Sequence, residues 1–478
     1  MDVQADDSAA RDGLLAGALG LLDSAVMAVA GSAPAYSIGA TTATLAAAVG
    51  AAGPAALLYA GVPMFGIAWA FLYLGRTGAS AGAAYQWVGR TLHPVLGYLA
   101  GWALIVSATL FMVAGALPAG SLTLGVVSPG AADNVLLVTL VGGGWFALMA
   151  TMVLLGIRLT ARVQWLMSGA EIAVLVVFLV LAVAHARHGA AAPWRWRWLS
   201  PAAFHGPGAF AAGALVAAFY YWGWDVSANL AEETRAPRRA PGMGGVIGLA
   251  VVFCLFVAYA LVTNAVLTPA QVSQSGANVL LAVGRALWPG PGGDLLVLAV
   301  VLSAVATLET TLLQVSRTLF AMARDRVMPD ALARVHDRWR TPHVATAVVG
   351  VFSLALFVLS NFAGSVSAAL ADAIGAIDLQ IVVYYALAGI GVAVCYRHLL
   401  LSSPGHFLFV GLWPAGGALF LLAVGAYDVS QMGAASLAVG LGALAAGLIP
   451  LYVYRRRGAA YFDAPRLEAV GMPDRGGP

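Results

Sequence analysis

The sequence predicts an all-α polytopic membrane protein of twelve transmembrane helices, arranged as two five-helix inverted repeats followed by two further helices. Three observations carry this expectation. The 478-residue chain is 61% hydrophobic and only 9% charged, with a mean hydropathy of +0.88, whereas soluble domains carry about 25% charged residues. Twelve stretches are apolar over the roughly 20 residues that a bilayer crossing needs. Two of these stretches, one near the start of each half, are interrupted by glycine and polar residues.

The predicted spans are 14–49, 53–74, 94–126, 134–156, 160–185, 208–231, 244–267, 294–322, 343–361, 367–394, 406–427 and 434–454. The first and third are long for one straight crossing, so they tilt, break or extend beyond the bilayer. Pro- and Gly-rich polar connectors separate the spans. These divide the chain into an N-terminal tail (1–13), a first repeat (14–190, spans one to five), a second repeat (191–400, spans six to ten), spans eleven and twelve (401–457) and a C-terminal tail (458–478).

Arginine sets the orientation. Lysine is absent, and with the N-terminus inside, 20 of the 24 basic residues face the cytoplasm; only Arg187, Arg195, Arg197 and Arg285 lie outside. The positive-inside rule therefore puts both termini in the cytoplasm; the inner (plasma) membrane is the expected location. The N-terminal "MDVQADDSAARDG" lacks the basic region of a signal peptide, so the first span is expected to be retained. "WRWRW" at 194–198 reads as an interfacial tryptophan belt. The polar tail 458–478 is expected to be disordered.

Several functions are disfavoured. A net charge of +3, scattered along the chain, gives no nucleic-acid footprint. All eight His lie in loops or at helix ends, and Cys254 and Cys395 read as small core residues, so no metal site or cofactor is expected. No phosphate-binding Walker loop or nucleophile motif occurs, which argues against ATP-driven transport and against an enzyme.

The breaks carry the chemistry. In "AVMAVAGSAPAYSIGATT" (25–42), Gly31, Ser32 and Pro34 cluster mid-span. Glycine and proline loosen helical hydrogen bonding, and in lipid every freed backbone group needs another partner. Irregular backbone at that depth belongs where it lines a cavity. The half-helix after the break offers N–H groups to an anion such as a carboxylate, and the half-helix before it offers carbonyls to a cation or ammonium. Span six reads "AFYYWGWDVSANLAEETRAPRRAPG", with Gly223 between two Trp and Asp225 directly after. Paired interruptions at corresponding positions of two repeats point to a transporter binding site.

These segments resemble a known family, the amino acid–polyamine–organocation (APC) permeases. "GSAPAYS" resembles its glycine-rich break in helix one, and "YYWGWDVSANLAEETRAPRR" its helix-six signature. "QVSRTLFAMARDRVMPDALARVHDRWRTP" resembles the segment after helix eight, and "ASAGAAYQWVGRTLHPVLGYLAGW" the small-residue and Tyr run before helix three. The ordered match covers about residues 15–455. The resemblance implies a leucine-transporter-type fold, alternating access and a small-molecule substrate with an amine, most often an amino acid.

Carried over by position, a substrate carboxylate would meet backbone N–H groups among Gly31, Ser32, Ala33, Pro34, Ala35 and Tyr36. An ammonium would meet carbonyls near Met27–Ala30 and around Tyr221, Trp222, Gly223 and Trp224, with the two Trp as gates or pocket walls. Asp225 either binds the ammonium or caps the second half-helix; the family often carries Asp there whatever the substrate, which favours the cap. Glu171 stands in span five about where some relatives carry Lys, and Glu309 replaces a small polar residue. Burial disfavours the charged form of a carboxyl, which suits a protonatable switch. Glu171 and Glu309, helped by Thr310 and Thr311, are expected near the first break, carrying a coupling proton or chelating sodium, or else bonding a neighbouring helix. Asp372 and Asp378 in span ten could select a cationic substrate or face a vestibule. Glu232 and Glu233 with Arg238 and Arg239 form either a cytoplasmic gate or a solvated turn. The resulting expectation is proton-coupled import of an amino acid or amine, with exchange or sodium coupling as alternatives, by a monomer or homodimer in the lipid bilayer.

Overall fold

The computed structural model describes residues 13–188, 195–364, 372 and 374–467. Within them the chain is helical, and the one bridge between extended residues joins Leu19 to Thr234. Ten helical runs are long and apolar enough to cross a membrane. The first, Leu21–Thr77, takes in α1 (Leu21–Ser32), α2 (Pro34–Val49) and α3 (Gly53–Thr77). A short α4 (Ala84–Thr91) precedes α5 (Pro94–Val127), α6 (Val135–Leu155) and α7 (Ile157–His188). Then come α8 (Pro207–Tyr220), the single turn α9 (Val226–Asn229), α10 (Ala240–Val266), α11 (Pro269–Ser275) and α12 (Val279–Leu287). The second half ends with α13 (Leu295–Arg324), α14 (His343–Phe362), α15 (Ile377–Cys395), α16 (Pro404–Gln431) and α17 (Ala434–Arg456).

The expected first span begins at residue 14, but the helix starts only at Leu21. Gly17 has a φ of +69°, and the Gly20 N–H donates to the Asp23 carboxylate at 2.6 Å, which starts α1 there. The expected sixth span is the most interrupted: α8 is 14 residues long, too short to qualify as a crossing, and α9 has four. Of span ten, residues 365–371 and 373 lie outside the described residues. Cys254 is exposed on α10, contrary to the core position expected of it. Trp198 of the expected interfacial belt is buried against Leu261 and Ala265, while Trp196 is 76% exposed.

The core is organised around α13. From Ser303 through Ala323 every residue of this helix is buried, and α1, α2, α5, α6, α7 and α14 all pack against it. Lipid offers no hydrophobic drive for helix association, so close approach through small residues supplies the contact. Gly244 and Gly248 of α10 illustrate this: a Cβ on either would lie 2.4 Å from Ser24 or Ala28 of α1.

The residues before α1 and the described C-terminal segment fold back onto one end of the bundle. Leu19 N–H donates to the Glu233 carbonyl and Arg235 N–H to the Leu19 carbonyl. The C-terminal segment was expected to be disordered, but over its described part it is docked. Tyr461 is 4% exposed and stacks on Tyr85 with centroids 4.8 Å apart, and its hydroxyl donates to the Tyr85 and Pro94 carbonyls. The aromatic ring therefore outweighs the polar composition of the tail. Tyr461→Ala should cost about 3 kcal/mol of stability or more; a thermal unfolding scan in detergent micelles checks this, and an unchanged midpoint would show that the tail packs without contributing.

Candidate substrate site between the two broken helices

The first break is one residue wide. Ala33 adopts the left-handed conformation (φ 46°, ψ 62°), and Pro34 starts α2 with a preset φ and no N–H to satisfy. Left-handed geometry costs a non-glycine residue roughly 1–2 kcal/mol, so the surroundings must hold it. The backbone groups are accounted for one by one. The Ala33 N–H donates to the Ala30 carbonyl. The Ala35 N–H donates to Glu171 Oε1 at 2.8 Å, and the Tyr36 N–H to Ser303 Oγ at 3.2 Å. Thr307 donates to the Gly31 carbonyl at 3.1 Å, and the Ser37 hydroxyl to the Ser32 carbonyl at 3.0 Å. Two N–H groups expected to receive a substrate carboxylate are thus held by α7 and α13.

The second break meets the first directly. Gly223 has a φ of +95°, which a side chain would strain. A Cβ on Gly31 would lie 2.2 Å from the Gly223 carbonyl oxygen, and one on Gly223 would lie 2.1 Å from the Gly31 carbonyl oxygen. Two glycines are required because backbone packs on backbone. Gly31, Trp222, Gly223, Val226, Thr310, Thr311 and Gln314 enclose the small cavity at this contact. It has space for about one water molecule, so admitting a substrate requires the two breaks to part.

Aromatic side chains close the site. Trp222 donates through Nε1 to the Tyr384 hydroxyl at 2.6 Å and packs edge-on against Phe111. Trp224 stacks on Tyr385 and meets Phe71 edge-on. The Tyr221 hydroxyl donates to the Leu57 carbonyl at 2.8 Å, tying the second break to α3. Both Trp are buried.

Asp225 differs from the capping role expected of it. It stands at the N-cap position of α9, but its carboxylate makes no capping bond there. It accepts from Gln314 Nε2 at 2.7 Å and from the Tyr385 hydroxyl at 2.8 Å. A four-residue helix presents little terminal backbone to cap, and two side-chain donors outcompete it. Asp225 therefore joins the second break to α13 and α15.

Glu171 and Glu309 lie on one polar seam but at different levels. Gln164, Ser168 and Glu171 recur at helical spacing on α7 and are buried against α13. Glu171 reaches the first break, whereas Glu309 accepts from Gln164 Nε2, which also donates to the Ala306 carbonyl. Gln164 and Glu171 are seven residues apart, about 10 Å along the helix. Only Glu171 meets the backbone of the first break. Thr310 donates within its own helix, to the Ala306 and Thr307 carbonyls, and Thr311 lines the central cavity. Glu171 Oε2 and Glu309 Oε1 are buried without hydrogen-bond partners among the described residues.

The acids of span ten turn elsewhere. Asp372 accepts from Ser436 of α17 at 2.8 Å. Asp378 lines a separate cavity with Asp428, among α3, α8, α15 and α16. The acids beyond the second break are paired, but not with the expected partners. Glu233 and Arg317 are both fully buried and joined twice at 3.0 Å. Arg324 donates twice to Glu232, which also accepts from the Ala81 N–H. Arg238 and Arg239 are exposed. Arginines of α13 supply the pairs because that helix runs past the loop, whereas Arg238 and Arg239 sit on the loop's solvent side.

Gln314, Tyr384, Tyr385, Arg317, Ser303 and Thr307 were not singled out in the sequence. A signal for them was present: Ser303, Thr307, Thr310, Gln314 and Arg317 form a polar stripe at helical spacing within an apolar span.

The amino acid permease family model matches residues 19–441. An uncharacterised transporter of Mycobacterium tuberculosis is 30% identical over 381 residues, covering 77% of this chain and 78% of its own length. The branched-chain amino acid permease of Bacillus subtilis is 30% identical over 202 residues, 42% of each chain. The serine/threonine exchanger of the same organism is 27% identical over 154 residues, covering 32% of this chain and 35% of its own. Many buried apolar helices around two facing backbone breaks define a multi-pass membrane transporter rather than an enzyme. The chain belongs to the amino acid permease family of the APC superfamily.

Removing one partner of a buried ion pair strands the other charge, at a cost of about 3–5 kcal/mol. Arg317→Ala should therefore lower thermal stability markedly. Arg317→Lys should rescue it only in part, because an ammonium lacks the guanidinium's planar fork. Wild-type unfolding of either variant would refute the strength assigned to the pair. Gly31→Ala should reduce uptake to background while the protein remains monodisperse; normal uptake would mean that the breaks separate more easily than the contact implies.

Proposed function

We propose that the chain imports an amino acid or related amine across the inner membrane by alternating access, as a proton-coupled symporter. The observation that carries this reading is the backbone contact of Gly31 with Gly223, which closes the cavity at the paired breaks. In this reading the chain has twelve crossings in a five-plus-five inverted repeat with helices one and six broken. Leu21–Thr77 then counts as two crossings, and α8 with α9 as the broken sixth. Both termini are cytoplasmic. The substrate lodges among residues 31–36 and 221–225 once these segments part.

Coupling would run through Glu171. Its carboxylate holds the Ala35 N–H at the start of α2, and its second oxygen is buried without a hydrogen-bond partner among the described residues. The charged form grips the N–H strongly, and protonation weakens the grip. A proton arriving at Glu171 would thereby free α2 to move. Glu309, with Gln164, offers a second protonatable position on the same seam, and Thr310 and Thr311 line the path. Sodium coupling would use the same oxygens as ligands. The paired Glu232–Arg324 and Glu233–Arg317 would serve as the inner gate, with Arg238 left in solvent.

Exchange is the second reading, favoured by the similarity to the serine/threonine exchanger of Bacillus subtilis. Proteoliposomes given pooled labelled amino acids and amines separate the two. Accumulation driven by an inward proton gradient supports symport, accumulation driven by a sodium gradient recasts the acids as ion ligands, and uptake confined to preloaded vesicles means exchange. Glu171→Gln should flatten the dependence of uptake on external pH; a profile that keeps its wild-type shape would leave Glu171 a structural strut.

A further inference from the structure

At the end of the bundle where the residues before α1 and the described C-terminal segment pack, three separate parts of the chain enclose a surface pocket of about 340 Å³. It is lined by the residues before α1 and its first turn, the start of α7 and the loop after α9. Arg158 and Arg162 stand four apart on α7, on one face of the helix, and Arg235 faces them from the loop. All three are exposed, and none makes an ion pair among the described residues. Arg235 is steered toward the pocket by its own Nε, which donates to the Gly17 carbonyl at 3.1 Å. The carboxylate lining the pocket, Asp23, is committed elsewhere: it accepts from the Gly20 N–H at 2.6 Å and from Trp165 Nε1 at 2.7 Å. Three guanidiniums thus face one engaged carboxylate.

The pocket opens toward lipid. Trp165 in its wall is 43% exposed and the adjacent Leu166 is 75% exposed. Val176, Val177 and Val180 are exposed further along α7. A basic pocket beside an interfacial Trp and an apolar outer helix face matches both parts of an anionic lipid.

We propose that this pocket binds the phosphate headgroup of an anionic phospholipid, whose acyl chains lie along the outward face of α7. Guanidinium forks match phosphate oxygens in pairs. The arginine distribution assigns this end to the cytoplasm, where the leaflet is anionic. A bound headgroup would bridge α7 to Arg235, two residues beyond Glu233 and hydrogen-bonded through its N–H to Leu19. The lipid would then fasten α7 to the loop after α9 and, through Leu19, to the segment before α1.

The test uses the full chain in mild detergent, with dioctanoyl phosphatidylglycerol as the probe and dioctanoyl phosphatidylcholine and inorganic phosphate as comparison ligands. Binding is read by native mass spectrometry and by thermal shift. Phosphatidylglycerol should bind in preference to both others. The Arg158→Gln/Arg162→Gln double variant should weaken it about 25-fold, at roughly fivefold per arginine. Arg455→Gln/Arg456→Gln, at exposed arginines ending α17, should bind it as the wild type does. Both substituted pairs are on the surface, and size exclusion verifies the fold. Equal phosphatidylglycerol affinity in the first double variant would overturn the proposal. So would phosphatidylcholine binding as well as phosphatidylglycerol, or displacement of the lipid by equimolar phosphate.

Discussion

A backbone group inside a bilayer has no water to fall back on, and the arrangement of this protein follows from that constraint. Interrupting a membrane helix releases N–H and C=O groups that must find partners in the protein. At the first break they find Glu171, Ser303, Thr307 and Ser37. At the second, the carboxylate of Asp225 anchors the chain to Gln314 and Tyr385. The polar stripe on α13 exists because two irregular segments sit against it. A helix meant only for packing would have been apolar there.

The same helix then connects distant parts of the molecule. Its early turns hold the first break, its middle turns hold Asp225, and its last turns hold the glutamates beyond the second break through Arg317 and Arg324. One rigid element therefore touches both breaks and the ion pairs beyond the second. Displacement of either break relative to α13 must exchange several hydrogen bonds together. Such an element supports a small number of discrete states better than a continuum of positions.

Much of this was legible in the sequence. Composition and span length expose a polytopic membrane chain, and Gly31 with Pro34 and Gly223 with its flanking Trp mark the breaks, since few residues suit irregular backbone in lipid. What one sequence conceals is which distant side chain satisfies which group. Asp225 beside a half-helix reads as a cap until the structure shows α9 to be one turn long. Glu232 and Glu233 lie near Arg238 and Arg239 in sequence, yet their partners come from α13 about 80 to 90 residues later, a juxtaposition set by tertiary packing. Tyr461 was hidden for a different reason: one buried ring in a polar segment changes the average composition very little.

The two ion pairs beyond the second break differ in how much water reaches them. Glu233–Arg317 is wholly enclosed, whereas in Arg324–Glu232 the side chains are 41% and 20% exposed. Dissolved salt screens charges that water can reach and leaves enclosed ones nearly untouched. The two pairs thus differ in their sensitivity to salt. A rise in ionic strength loosens Arg324–Glu232 and leaves Glu233–Arg317 in place. In the inner gate proposed for these pairs, osmotic stress, which concentrates ions in the cytosol, would slacken the rim while the seal holds.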